Sequence, residues 1–221
     1  MNDTTGPPAA QPAAAAHLTP EQFDRWYGGW EPLTPNDIAE FMAGFDRPWW
    51  IIGGWSIEVF TGVHRDHEDM DISILSSDAE AFRDFLGDRW TPWNVDDGWL
   101  RPYDQRFTEI RPDSQLWIRR DAQSRWVLDV PLTPDTGGRW TNKRNRQHTE
   151  DLDDVTWTAP DGLRYARPEV TLMFKAAQVR EKDRRDAEVL LPMLDDRART
   201  WLRDTMTRMD PDHPWAAGRT V

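Results

Sequence analysis

The sequence predicts an α/β fold, a small mixed sheet flanked by helices and followed by a C-terminal helical segment. Three observations carry that expectation. Residues Asp69-Met70-Asp71-Ile72-Ser73-Ile74-Leu75 alternate polar and apolar side chains, as a half-buried strand does. Runs at Arg89–Val95, Gln115–Arg120 and Arg125–Val130 are rich in strand formers, and only Asp121-Ala122-Gln123-Ser124, a hairpin-length turn, separates the last two. From Arg167 onward, apolar residues recur at helical spacing.

Taken in order, residues 1–17 are alanine, proline and small polar groups without a period, the composition of a disordered tail. Thr19-Pro20-Glu21-Gln22 has capping-box spacing with proline at the first helical position, which predicts a helix from Pro20 to Tyr27. Thr34-Pro35 repeats the signal and predicts a second helix through Phe45, with Ile38, Phe41 and Met42 on one face. Pro48-Trp49-Trp50-Ile51-Ile52 reads as a buried strand or the end of a buried helix, stopped by Gly53-Gly54. Trp55 to Phe60 opens a helix, and Asp78 caps another that ends near Leu86-Gly87. The connection from Asp96 to Ser114 is long enough to suggest function. Its acids Asp96, Asp97, Asp104 and Glu109 border an acceptor pocket or simply solvate a loop. Thr133–Gly138 is a turn-rich break, and Arg139–Asp154 has no clear period. Three helical stripes follow, led by Val170, Met173 and Phe174, by Ala187, Leu190 and Leu194, and by Ala198, Trp201 and Leu202. The expected organisation is a tail over 1–17, a core over 18–160 and a helical segment over 161–221.

Composition narrows the chemistry. The chain has no cysteine, which excludes disulfides, thiolate metal sites and a cysteine nucleophile. No apolar run is long enough to span a membrane, and no signal-peptide core stands at the N-terminus, so a cytoplasmic soluble protein is expected. The formal charge of −12 disfavours a nucleic-acid partner, whose affinity rests on neutralised phosphates, and suits a cationic small molecule. Lysine occurs only at 143, 175 and 182. Among the 14 tryptophans, Trp55, Trp93, Trp99 and Trp117 are candidates to stack on a base or sugar, core packing being the commoner use. Oligomeric state is open.

The chemistry concentrates in Gly53-Gly54-Trp55-Ser56 and Arg65-x-His67-x-Asp69-x-Asp71. Glycines let a backbone approach a ligand closely, and the helix that follows offers unpaired amides and the Ser56 hydroxyl to phosphate oxygens. A glycine turn alone is equally at home in a structural loop. Asp69 and Asp71 change the balance: side chains two apart on a strand share a face. Two such carboxylates repel unless a cation sits between them, and magnesium is held by carboxylates together with substrate phosphates. Arg65 is suited to clamp phosphate bidentately, and His67 to support Asp69 or to touch phosphate. Asp129, alone in the middle of a strand-like run, is the best candidate for a third carboxylate near an attacking hydroxyl.

These motifs resemble the active-site pattern of the polymerase β-like nucleotidyltransferases, in particular the branch of aminoglycoside 2''-adenylyltransferase and the lincosamide nucleotidyltransferases. Pro168–Ala176 and Arg180-x-Lys182-Asp183-x-x-Asp186 also resemble that branch, so the likeness spans roughly residues 48–210. The resemblance implies transfer of a nucleoside monophosphate from ATP, or another NTP, to a hydroxyl of a small molecule, an aminoglycoside- or lincosamide-like antibiotic. It implies a magnesium-dependent two-metal mechanism with Asp69, Asp71 and Asp129 as catalytic metal ligands. Gly53, Gly54, Ser56, Arg65, His67 and Lys175 would then contact the nucleotide. Residues 89–120, where acceptor contacts belong, match no pattern. Two alternatives stand beside this reading: a nucleotidyltransferase toxin acting on tRNA or protein, and a catalytically silent nucleotide- or partner-binding member.

Overall fold

The computed structural model describes residues 19–96, 99–177 and 179–217; the tail expected over 1–17 lies outside them, as does Asp97. In chain order the helices are α1 (Pro20–Tyr27), α2 (Pro35–Phe41), α3 (Gly53–Thr61), α4 (Ala79–Leu86), α5 (Leu152–Val155), α6 (Pro168–Lys175), α7 (Glu181–Leu190) and α8 (Asp196–Met209). The strands are β1 (Trp49–Ile51), β2 (Ile72–Leu75), β3 (Thr91–Asp96), β4 (Trp99–Pro102), β5 (Gln115–Arg119), β6 (Leu128–Thr133), β7 (Asp135–Thr136), β8 (Arg139–Thr141), β9 (Thr149–Glu150), β10 (Thr156–Thr158) and β11 (Arg164–Ala166). Eight of them form one mixed sheet in the order β10-β11-β1-β2-β6-β5-β3-β4, with parallel pairing at β1·β11 and β2·β6; β7, β8 and β9 make a small second sheet.

The alternation of side chains along each strand sorts the sheet into two faces. Ile72 and Ile74 of β2 and Leu128, Val130 and Leu132 of β6 join Ile38 and Met42 near α2 and Phe82 and Leu86 of α4 in one apolar core. The alternate positions, Asp71, Ser73, Asp129 and Thr133, therefore turn to the other face. There a second core, built from Trp50, Ile57, Val170, Met173, Leu190, Leu202 and Trp215, seats α3 and the three C-terminal helices. Burying one stripe of each helix against a strand face is what holds these short elements, since helices of seven to ten residues are marginal alone.

Several local expectations are met residue by residue. The Thr19 capping box is complete, Thr19 Oγ1 accepting from Gln22 N at 3.2 Å and Gln22 Oε1 from Thr19 N at 2.9 Å. The three C-terminal helices fall where the stripes placed them. Other boundaries shift. The second helix ends at Phe41, and turns through Gly44 at φ +90° carry the chain to Phe45. The strand expected from Asp69 begins at Ile72, because Asp71 makes only an isolated bridge with Asp129. The strand expected over Arg125–Val130 runs over Leu128–Thr133, since Trp126 pairs instead with Trp30. The long Asp96–Ser114 connection contains β4, and the unpatterned Arg139–Asp154 stretch contains β8 and β9. The boundary expected after residue 160 runs through the β10–β11 hairpin, whose second strand lies parallel to β1.

Candidate functional site

The site is built where β1 ends. Ile52 N donates to Asp71 O at 3.0 Å, tying the glycine turn to the start of β2. Gly53 takes φ +69°, a conformation that costs a side chain, and a Cβ there would collide with the Asp71 carboxylate. A Cβ on Gly54 would collide with the Arg65 guanidinium. The two glycines are thus needed because a carboxylate and a guanidinium lie directly against the backbone.

Asp71 and Asp129 bridge β2 and β6, with Asp129 N donating to Met70 O at 2.9 Å. Burial and then the neighbouring Asp69 charge push the Asp71 carboxyl up to about 7, against the pull of Lys175, Lys182 and Arg180. Burial, then Asp71 and Asp69, also push Asp129 well above the usual carboxylate range. Asp129 Oδ2 accepts from Gln115 Nε2, whereas its Oδ1 is buried with no partner. As they stand, no three His, Cys, Asp or Glu side chains among the described residues are arranged to hold a metal ion. The donor chemistry nonetheless fits a hard divalent cation. It offers only carboxylate oxygens, one of them orphaned, in mutual repulsion that a cation relieves, and magnesium takes few protein ligands with phosphates completing its shell.

Beside these acids lies a cavity of about 290 Å³, lined by Gly53, Gly54, Arg65, Asp69, Asp71, Lys143, Arg144, Lys175, Arg180 and Lys182 and floored by Trp50, Trp140 and Phe174. All three lysines of the chain are in that lining. In a protein of net charge −12 this concentrates six cations on one cavity. Two buried carboxylates of α7 hold several of them. Asp183 accepts from Lys175 at 2.7 Å and from Arg180 Nε at 2.8 Å, while Asp186 meets Lys175 at 3.0 Å and Arg65 Nε at 3.1 Å. Lys182 pairs with Glu68 at 2.8 Å. Lys143 forms no ion pair with a described residue; burial, then Arg144, lower its ammonium pKa, and the attraction of Asp129, Asp113 and Asp71 opposes them.

The cavity brings together Gly53, Gly54, Arg65, Asp69, Asp71 and Lys175 among the residues anticipated from sequence. Asp129 stands behind them at the Asp71 bridge. Two assignments are corrected. Ser56 is fully buried, its hydroxyl bonded to Gly53 O at 2.9 Å and Thr171 Oγ1 at 2.7 Å, so it fastens α3 to α6 and offers nothing to phosphate. His67 stacks on Trp55 at 3.8 Å and meets Glu58 Oε2 at 2.8 Å, which anchors the loop rather than touching the cavity. Sequence reading missed Glu58, which also accepts from Arg65 N at 3.1 Å and bonds His64 Nδ1 at 3.0 Å, and so fixes the whole 62–68 loop. It also missed Lys143, Arg144 and Arg180. The scarcity of lysine was the one signal that pointed to Lys143.

The acids of the 96–114 connection do not form an open negative wall. Asp96 pairs with Arg111 at 3.2 Å, Asp104 with Arg106 at 2.7 Å, and Asp113 with both Arg111 at 3.4 Å and Arg146 at 3.2 Å. The charge of Asp96 and Asp104 is thus met within the protein.

Comparison with known proteins agrees with this picture. Residues 36–125 match the family model described as aminoglycoside-2''-adenylyltransferase, a span that includes the glycine turn and the Arg65–Asp71 motif. Searching curated proteins gives no match. Among solved structures, the lincosamide antibiotic adenylyltransferase LnuA with lincomycin bound superposes with a TM-score of 0.50 at 18% identity, covering 72% of this chain and 98% of that one. The solution structure of the antibiotic-resistance factor ANT(2'')-Ia gives 0.47 at 17% identity, over 77% of this chain and 88% of that one. The crystal structure of ANT(2'')-Ia with adenylyl-2''-tobramycin gives 0.47 at 15%, over 78% and 95%. The likeness in fold rests on the first of these. Through its Gly-Gly and Asp-x-Asp motifs, its family match and its mixed sheet, the chain resembles the nucleotidyltransferases of the aminoglycoside and lincosamide resistance branch.

Proposed function

We propose that this protein transfers a nucleoside monophosphate from ATP, or another NTP, to a hydroxyl of a small molecule, an aminoglycoside- or lincosamide-like antibiotic, by a magnesium-dependent two-metal mechanism. One observation carries the reading above the rest: Asp69, Asp71, the glycine turn and every lysine of an acidic chain converge on one cavity. A polyanion bearing a cation is the ligand that such a mixture of charges fits. Asp69 and Asp71, with Asp129 beside them, are the residues that would hold magnesium. When bound, magnesium would neutralise triphosphate oxygens and the charge that develops on them.

The chain's own residues supply the rest. Gly53 and Gly54 let the Asp71 carboxylate and the Arg65 guanidinium lie against the backbone beside the bound triphosphate, and the amides opening α3 face the same turn. Lys143, Arg144, Arg180 and Arg65 balance the phosphate charge, with Arg65 held in place by Asp186 and the Asp66 carbonyl. Asp129, with its raised proton affinity and unpartnered Oδ1, accepts the proton of the acceptor hydroxyl. The acceptor oxygen forms its bond to the α-phosphorus as the bond to the pyrophosphate leaving group breaks. Positioning and charge stabilisation provide most of the rate.

The test is pyrophosphate release from magnesium-NTP by the wild type and by Asp69→Asn and Asp71→Asn, with folding checked by circular dichroism. The expected loss is ~10²–10³-fold, the scale on which removal of one preorganised charge-stabilising group acts. Unimpaired turnover in both folded variants contradicts the reading.

A further inference from the structure

A second site lies at the other end of the sheet. Trp93 of β3, Trp117 of β5 and Asp129 of β6 stand abreast in register, and Arg119 is the next residue of β5 on that face. The Arg119 guanidinium packs into the corner between two indoles that stand nearly perpendicular, 4.4 Å from the Trp93 ring centre and 4.0 Å from that of Trp126. Arg119 is only 8% exposed, its Nε has no partner, and it forms no ion pair among the described residues. Burial lowers its proton affinity against the weaker pull of Asp121. An arginine packed against two rings and left without an ion pair among the described residues bears the cost of a desolvated charge.

Arg119 borders a groove of about 580 Å³, closed on one side by Trp26 and Tyr27 of α1 and on the other by Trp93 and Leu100. Trp126 Nε1 donates to Tyr27 O at 2.8 Å, which pins the end of α1 over the arginine. The backbone turns away at Gly28, where φ is +91° and a Cβ would lie 3.7 Å from Arg119 Nη1. Arg25, Arg119 and Arg125 face a single acid, Asp24, in the lining, a local positive excess in a strongly acidic chain. Trp93 Nε1 is a second buried donor without a partner, and Trp26 is 61% exposed.

We propose that this groove binds a small organic carboxylate with an apolar body. Arg119 takes the planar carboxylate edge-on, and Trp26 and Leu100 cover the apolar part. A planar carboxylate matches a guanidinium edge bidentately, and the apolar lining from Trp26, Trp93 and Leu100 holds the body of such a ligand, which inorganic phosphate lacks. This site is independent of the nucleotidyl-transfer reading and stands or falls without it.

The experiment is calorimetric titration of the full chain, without nucleotide, with naphthoate, with its uncharged counterpart naphthamide, and with naphthoate in competition with inorganic phosphate. The expected result is saturable naphthoate binding at least about tenfold tighter than naphthamide, undisturbed by phosphate, with the difference erased in Arg119→Gln. Should Arg119→Gln fail the circular-dichroism check, Arg125→Gln at the exposed rim serves instead. It is expected to weaken naphthoate about threefold while leaving naphthamide unchanged. Equal affinities for the two probes, absence of binding, displacement by phosphate, or unaltered discrimination in a folded variant would each overturn the proposal.

Discussion

Single residues decide whether the site can close around its ligand. Gly54→Ala places a methyl group against the Arg65 guanidinium, so the expected outcome is a loss of NTP turnover of at least about tenfold, read as kcat/KM, with secondary structure retained. Lys143 carries a different expectation. It is half-buried without an ion pair among the described residues, so Lys143→Met should raise the KM for NTP about tenfold through the lost phosphate charge. The same change should leave Tm unchanged or higher, because an uncompensated half-buried cation is removed. A lowered Tm with unaltered KM would make Lys143 structural. Asp69 and Asp71 stood out by their spacing, and both line the cavity although β2 begins only at Ile72. Ser56 was not legible, because the direction of a hydroxyl on the first turn of α3 depends on how that helix rolls against Thr171, 115 residues away. Lys143 lies in a stretch with no period at all.

At the scale of elements, the site depends on two struts that sequence displays poorly. Glu58 on α3 holds His64, Arg65 and His67 together, and Asp183 and Asp186 on α7 hold Lys175, Arg65 and Arg180. The Arg180–Asp186 motif was visible as part of a resemblance, but its pairings were not: Asp183 N bonds Arg180 O at 3.0 Å, and the carboxylate also grips Lys175. The Arg65–Asp186 pair, 121 residues apart, leaves no local period at all. Glu58→Gln is expected to speed amide exchange over residues 62–68 and to lower kcat more than it raises KM; unaltered exchange would sever the loop from Glu58. Asp183 yields a pH prediction. Burial alone would raise its carboxyl, but hydrogen bonds from Arg180 and Lys175 and the Lys175 charge outweigh that and bring it down to about 2. A carboxyl whose folded value lies below its unfolded value of about 3.9 stabilises the fold above that pH and loses the contribution as pH falls toward 2. The loss is on the order of 2 kcal/mol. Denaturant unfolding of the wild type against Asp183→Asn should therefore show a gap that narrows from pH 5 to pH 2; a constant gap would contradict it.

For the whole molecule, the fold class and the order of the main helices were legible from caps and periods, whereas β4 and the short strands β7 to β11 were not, since they lie in stretches without a clear alternation. The C-terminal helices share a core with the sheet. Strand β11 belongs to the sheet beside β1, and Trp50, Trp140 and Val155 pack against Val170, Met173 and Leu202 in one core. A chain ending at residue 160 should therefore lose near-ultraviolet dichroism and unfold without a cooperative transition, and a cooperative fragment would restore two independent units. Charge, too, is legible only in sum: a net −12 conceals the six cations around the cavity and the arginine excess by α1. The central claim is that the carboxylate–lysine cavity transfers a nucleotide to a small-molecule hydroxyl. Its most direct measurement is the product mass after incubation with each NTP, magnesium and a panel of aminoglycosides and lincosamides. The account predicts that one panel member gains the mass of one nucleoside monophosphate as pyrophosphate is released. Unmodified acceptors throughout, with magnesium-NTP bound and intact, would contradict it.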